Sequence, residues 1–332
     1  MDRRQLLIGG MAATTVSALA LPARAAAPPA SSDPLNPPGI KMAGIRMLPV
    51  RGGRYKVWTK TIGDGPIKVL LLHGGPAACH DYLEAFESFL PPAGMQIIYY
   101  DQLGCGNSDS PDDPSLWTLP GFVEEVEEVR QGLGLDRFVL FGHSWGGMLG
   151  IEYALKYQQH LRGLVISNMT AGVQAYLKHI AVLKDRLLSP ADRAALDRFE
   201  AAKDYDNPGY MQLMMEKVYP QMVCRLQPWP EPVTRSFGRM NAKIYAQMQG
   251  KSEFLVTGNL KDWERWDRLP EIKSRALTIG AAHDEMDPDD MVRMARLMPN
   301  ARSFVCPNGS HLCMWDDQAF YFEHLIGWLR TV

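Results

Sequence analysis

Apolar residues along this chain fall into short consecutive runs separated by longer stretches of helical period. The runs are VLLL (69–72), IIYY (97–100), FVLF (138–141), LVIS (164–167), ALTIG (276–280) and SFVC (303–306). Each is strand-length and apolar on successive rather than alternate positions, as expected of strands covered on both faces in a parallel sheet. Between them lie GFVEEVEEVRQGLG (121–134), MLGIEYALKYQQHL (148–161) and DDMVRMARLMP (289–299), whose apolar positions recur with helical spacing. Strand–helix alternation of this kind predicts an α/β domain with crossover helices. Upstream, MLPV and KVWTKTI flank RGGRY, a pattern that predicts an antiparallel hairpin.

The alternation fails from about residue 171 to residue 254. No buried strand is legible there, and Met211, Met214, Met215 and Val218 follow helical spacing. An insertion of this length exceeds a simple crossover and predicts a helical cap over 171–254, between core segments at 40–170 and 255–332. The methionines are expected to pack, although their flexible thioethers also suit a surface that adapts to varied ligands.

The first residues stand apart from this pattern. Paired Arg3 and Arg4 precede a mildly apolar run, and Ala23-Arg24-Ala25 matches an A-x-A cleavage site. Residues 1–25 therefore resemble a twin-arginine export signal, which predicts a periplasmic or secreted protein. The run is too short and too rich in Ala, Gly and Thr to predict a membrane span. The proline-rich stretch over 26–39 reads as an extended linker. Composition narrows the partners further. Among 332 residues the formal net charge is -2, with no basic stripe, so neither nucleic acid nor an anionic membrane is expected. Cys79, Cys105, Cys224, Cys306 and Cys313 are odd in number and lack a C-x-x-C pair, which predicts buried free thiols rather than a disulfide framework or zinc site.

Chemistry enters at G-H-S-W-G (142–146), an instance of G-x-S-x-G between the run FVLF and a helical segment. A serine on a sharp strand-to-helix turn takes strained dihedrals, and Gly142 and Gly146 leave room for them. Ser144 then sits at a helix N-terminus, where backbone N–H groups favour developing negative charge. Its activation requires a base and an acid that orients the base, in the chain order serine, acid, histidine. His311, in the loop after SFVC, is the candidate base. The loop after ALTIG offers Asp284 as the acid, with Asp287 in reserve; His143 and His283 are expected to be structural neighbours. The amides of Trp145 and of Gly75, the latter in HGGPA (73–77), are the candidate oxyanion donors, worth ~3–4 kcal/mol each in comparable enzymes.

HGGPA, YDQLGCGNSD, GHSWGG, GNLKDW, GAAHDEMDP and GSHLCMW together resemble the proline iminopeptidase family of α/β-hydrolases, nearest to the tricorn-interacting aminopeptidase type. The resemblance covers nearly the whole chain after the leader. It implies a serine aminopeptidase that needs no metal or cofactor. Its implied activity releases an N-terminal proline or small hydrophobic residue from short peptides, with amino-acid amides as related substrates. It also implies that Glu285 and Glu253 bind the substrate's free amino group. For Glu253 a solvated charge at a helix end is the competing reading. Asp101 and Gln102 are expected to brace the loop beneath the site. Where the family shows HGGPG this chain has Ala77, which carries a penalty if that position needs a positive φ.

Two other functions share these features. An amino-acid amidase or esterase would use the same triad on a different acyl compound. A silent binding scaffold would have no need for an intact nucleophile, acid, base and oxyanion loop. An epoxide hydrolase or dehalogenase would want aspartate in place of Ser144.

Overall fold

The computed structural model describes residues 43–332; the leader and the proline-rich linker lie outside them. Eight strands form one sheet: β1 (Ile45–Val50), β2 (Tyr55–Ile62), β3 (Ile67–Leu72), β4 (Met95–Tyr100), β5 (Phe138–His143), β6 (Leu161–Ser167), β7 (Ala276–Ala281) and β8 (Ala301–Cys306). Their spatial order is β1-β2-β4-β3-β5-β6-β7-β8. The hairpin β1–β2 pairs antiparallel from Ile45↔Lys60 to Val50↔Tyr55, and β2 runs antiparallel to β4. From β4 to β8 every pairing is parallel.

The consecutive apolar runs have a direct cause. Leu70, Leu72, Ile98, Tyr100 and Leu140 belong to one apolar core, while Val69, Leu71, Ile97, Tyr99 and Phe141 belong to another. Successive side chains point to opposite faces of a strand, so a sheet with a core on each face needs apolar residues at both parities. Helices α1 (Leu119–Leu133) and α2 (Trp145–Tyr157) supply Phe122, Val126, Met148 and Ile151 to the first core, and α9 (Pro288–Leu297) adds Met291. The second core is closed by the 3₁₀ segment His80–Ser88 and by α11 (Gln318–Leu329), the latter preceded by the single turn α10 (Cys313–Asp316).

Helix α2 is shorter at its end than the periodicity of 148–161 predicts. It stops at Tyr157, and Leu161 instead opens β6, where it is buried. An apolar residue in helical phase was serving the next element.

Between β6 and β7 the chain forms a series of helices, accompanied by the isolated bridges Gly172↔Glu264 and Ser252↔Leu255 and by a 3₁₀ segment at Trp266–Glu271. In order the helices are α3 (Val173–Leu187), α4 (Pro190–Ala202), α5 (Pro208–Leu213), a π-helical turn Met214–Val218, α6 (Tyr219–Met222), α7 (Glu231–Gly238) and α8 (Ala242–Met248). Met214 and Val218 are buried as expected, whereas Met211 and Met215 are each 45% exposed. All five cysteines are buried free thiols.

Candidate active site

Three loops at the C-terminal ends of parallel strands carry the candidate residues, the usual location of sites in open α/β sheets. Ser144 follows β5, Asp284 follows β7 and His311 follows β8. Ser144 takes φ 55° and ψ -127° at the mouth of α2, a backbone conformation that costs a non-glycine residue ~1–3 kcal/mol. The turn is possible because its flanks lack side chains. A Cβ on Gly142 would lie 2.0 Å from the Gly146 carbonyl oxygen, and one on Gly146 would lie 2.3 Å from that of Leu72.

Ser144, His311, Glu285 and Glu253 line one small cavity of about 50 Å³, together with Gly74, Gly75, Tyr82 and His143. His311 is 6% exposed and Ser144 9%, so both lie buried at the wall of this cavity. The imidazole Nδ1 lies 2.8 Å from Asp284 Oδ1. That carboxylate is buried and fixed from two other sides, accepting from the Met286 amide at 3.0 Å and from Asn168 Nδ2 at 2.7 Å. An acid so held sets the tautomer, with Nδ1 protonated and Nε2 turned toward the cavity. Asp287 is placed elsewhere. It caps α9 by accepting from the Asp289 amide, and it does not touch His311.

Nε2 faces a carboxylate, at 3.4 Å from Glu285 Oε1. Burial alone would lower the His311 pKa, but Glu285 and Asp284 outweigh it and raise the value to about 9. Burial likewise pushes Glu285 up to about 8, His311 partly offsets this, and Glu253 and Asp284 add to the rise. Glu285 is 1% exposed, and its hydrogen-bond donor apart from His311 is the Tyr176 hydroxyl, at 3.3 Å. Glu253 is half-buried and accepts from the Tyr245 hydroxyl at 2.5 Å; withdrawal from water raises its pKa too. Two under-satisfied carboxylates drawn away from water beside a nucleophile favour a cation there.

The donor side is equally specific. Trp145 is the first residue of α2, and a helix's first amides have no intrahelical acceptor. Gly74 N–H is committed to the Tyr82 hydroxyl at 2.7 Å, whereas Gly75 N–H has no protein acceptor among the described residues. The Tyr82 hydroxyl in turn lies 3.0 Å from His143 Nδ1, and His143 Nε2 lies 2.8 Å from the His311 carbonyl oxygen. Every contact is satisfied if Tyr82 donates to Nδ1 and Nε2–H donates to the carbonyl, which requires a neutral His143. Burial, reinforced by the neighbouring His311, holds its pKa well below the usual range. This relay joins the donor loop, the serine turn and the histidine loop.

Beneath the site, Gln102 accepts from Trp145 Nε1 at 2.8 Å and donates to the His73 carbonyl, while Asp101 accepts from the His80 amide and contacts the His80 ring. His283 lines a separate surface cleft with Arg225 and Asp316. Ala77 takes φ 71° with its methyl buried. The left-handed conformation costs ~1–2 kcal/mol, and burial of the methyl returns ~0.8 kcal/mol. Sequence reasoning passed over Asn168, Tyr82, Tyr176 and Tyr245. Of these, Asn168 alone left a trace, as a polar residue directly after a buried strand, and it takes φ 54°.

His80, Asp81 and Glu84 each offer a donor atom within 4.8 Å of the others, as a metal site would require. Protein cations already occupy the carboxylates: Arg239 lies 2.9 Å from Asp81, and Arg235 lies 3.3 Å from Asp81 and 2.7 Å from Glu84.

Residues 68–318 match the family model for the alpha/beta hydrolase fold. The chain is 45% identical over 293 residues to a proline iminopeptidase of Chitinophaga pinensis, covering 86% of this chain and 98% of that protein. Among solved structures, VinJ superposes with a TM-score of 0.82 at 35% identity, covering 88% of this chain and 99% of VinJ. The proline iminopeptidase of Mycobacterium smegmatis gives 0.79 at 33% identity, with 86% and 98% covered.

Proposed function

Because this chain belongs to the α/β-hydrolase family and, within it, to the proline iminopeptidases, we propose that it is a serine aminopeptidase releasing an N-terminal proline or small apolar residue from short peptides. The observation that carries this reading is the shared cavity, where Ser144 and the His311–Asp284 pair meet two carboxylates, Glu285 and Glu253. A serine hydrolase indifferent to its substrate's amino end has no use for that negative charge.

The mechanism is read from the contacts. Glu285, 3.4 Å from His311 Nε2, favours the protonated imidazole, and a protonated imidazole is no base. A substrate ammonium entering between Glu285 and Glu253 neutralises their charge and lowers the His311 pKa. The freed Nε2 then takes the Ser144 proton as Oγ attacks the first carbonyl carbon. The amides of Gly75 and Trp145 stabilise the oxyanion. His311 returns the proton to the departing amine, and water, activated in the same way, releases the acyl group from Ser144. A free amino end therefore switches the base on as well as anchoring the substrate.

A narrow pocket of about 30 Å³ lies beyond Glu253, between Trp145, Met148, Met169 and Met286. It adjoins the oxyanion donors and suits the side chain of the N-terminal residue, limiting it to a small apolar group. Helices from α3 to α8 are assigned as the cap above it. Export forms part of the same proposal and rests on Arg3 and Arg4 ahead of an apolar run. Replacing both by lysine is expected to leave the protein in the cytoplasmic fraction; unchanged export would remove that element.

The deciding experiment compares proline p-nitroanilide with its N-acetylated form. The proposal expects the blocked substrate to lose at least about a hundredfold in kcat/KM, from a lost charge-assisted contact worth ~1.5–3 kcal/mol together with an unreleased base. Equal turnover of the two would favour an esterase or general amidase instead.

A further inference from the structure

A second cavity of about 730 Å³ lies under the same helices, within the range of sites that bury whole small molecules. It shares Tyr219, Phe237, Met240 and Glu253 with the nucleophile's cavity, so the two adjoin. The narrow pocket beyond Glu253 accounts for the N-terminal side chain, and nothing in the reaction yet accounts for this larger space. The two cavities meet at Tyr219, Phe237 and Met240 as well as at Glu253, so a chain extending from the nucleophile can enter the larger space past those three apolar side chains.

Resting on the aminopeptidase reading above, we infer that the large cavity binds the chain beyond the scissile bond, and that it selects an apolar, uncharged leaving segment over a short one ending in a carboxylate. The walls are aromatic: Tyr219, Trp229, Phe237 and Tyr245 line it, with the rings of Trp229 and Phe237 5.1 Å apart. Met211 and Met215 also line it and are exposed, flexible thioethers that fit varied apolar shapes. Met215 lies within the π-helical turn Met214–Val218, an irregularity that often accompanies binding sites.

Charge decides against a nearby carboxylate. The charged lining residues are Asp206, Lys251 and Glu253. Lys251 Nζ lies 2.5 Å from Asp206 Oδ2, which leaves no unpaired cation in the lining among the described residues. Glu253 stands at the junction with the nucleophile's cavity and, paired with the substrate ammonium, offers a dipeptide or tripeptide carboxylate no attraction.

The test fixes proline as the first residue and varies the leaving segment. Prolinamide, prolyl-glycyl-glycine and prolyl-phenylalanyl-leucinamide are each measured as kcat/KM. The apolar amide is expected to exceed the glycyl peptide at least tenfold. Trp229→Ala should cut the ratio of the apolar amide to prolinamide at least fivefold, acting through KM. Should that variant fold poorly, Met215→Lys at an exposed position supplies the missing cation and should raise prolyl-glycyl-glycine relative to the apolar amide. Equal turnover of all three by the wild type, or ratios unmoved in a folded variant, would overturn the subsite and leave the aminopeptidase intact. Failure to cleave any substrate with a free amino end would overturn the aminopeptidase reading itself.

Discussion

Glu285→Gln separates the two duties assigned to one carboxylate. His311 faces Glu285 at 3.4 Å, with Asp284 on its other nitrogen, Glu253 across the cavity and neutral His143 beside it at 4.8 Å between centroids. With a pKa of about 9, only about 3% of the imidazole is neutral at pH 7.5, by the ordinary titration relation. Glu285, with its own pKa raised to about 8, carries only part of a charge here, so its removal lowers the His311 pKa by up to ~1 unit and raises the neutral fraction by up to about eightfold. A substrate with no amino group, such as p-nitrophenyl acetate, should therefore be cleaved several-fold faster by the variant, up to about eightfold. Its pH–rate profile should shift in a known direction. The base is active above its pKa, so the acidic limb moves to lower pH when that pKa falls. Proline p-nitroanilide should behave oppositely, losing a charge-assisted contact of ~1.5–3 kcal/mol, or ~10- to 150-fold in kcat/KM. Stopped-flow or steady-state assays of both substrates from pH 6 to 10 read all three effects. A parallel fall for both substrates, or an acidic limb that stays in place, would refute the switching role.

The two candidate acids predict contrasting variants. Asp284→Asn is expected to lower kcat about 10⁴-fold by disturbing the histidine tautomer. Asp287→Asn should leave kcat within about twofold and cost at most ~1 kcal/mol in denaturant stability, because it alters only a helix cap and a 3.4 Å contact to His179, neither at the triad. Tyr82→Phe strands the Gly74 N–H and His143 Nδ1 in the interior, each at ~1–3 kcal/mol. It should lower both Tm and kcat while changing KM little. Gly146→Ala drives a methyl group into the Leu72 carbonyl and is expected to lose more than ~3 kcal/mol or fail to fold, read by thermal denaturation; a near-native Tm would contradict the turn geometry.

Much of the fold was legible because each central strand is buried on both faces and so declares itself without interruption. The helices were legible in kind but not in extent. Leu161 kept helical phase with α2 while belonging to β6, since periodicity cannot tell which core an apolar residue serves. The methionine row misled for a different reason. The π-turn Met214–Val218 breaks the helical period, so two of the row's four residues are buried and Met211 and Met215 are exposed.

In the site, glycine spacing and chain order pointed to Ser144, Asp284 and His311. The tyrosines were silent because each carries one polar atom on a large apolar ring and reads as core. Their hydroxyls act across long stretches of chain, 61 residues from Tyr82 to His143 and 109 from Tyr176 to Glu285. Glu253, readable in sequence as a surface charge, gains its place from Tyr245 and from the junction of the cavities.

The central claim is that Ser144 becomes an attacking alkoxide through His311. Peptide mapping by mass spectrometry after brief reaction with a fluorophosphonate tests it directly. The account predicts a single adduct on Ser144, formed in step with loss of proline p-nitroanilide turnover and strongly slowed in His311→Ala. An adduct on another residue, or turnover that survives complete modification of Ser144, would contradict it.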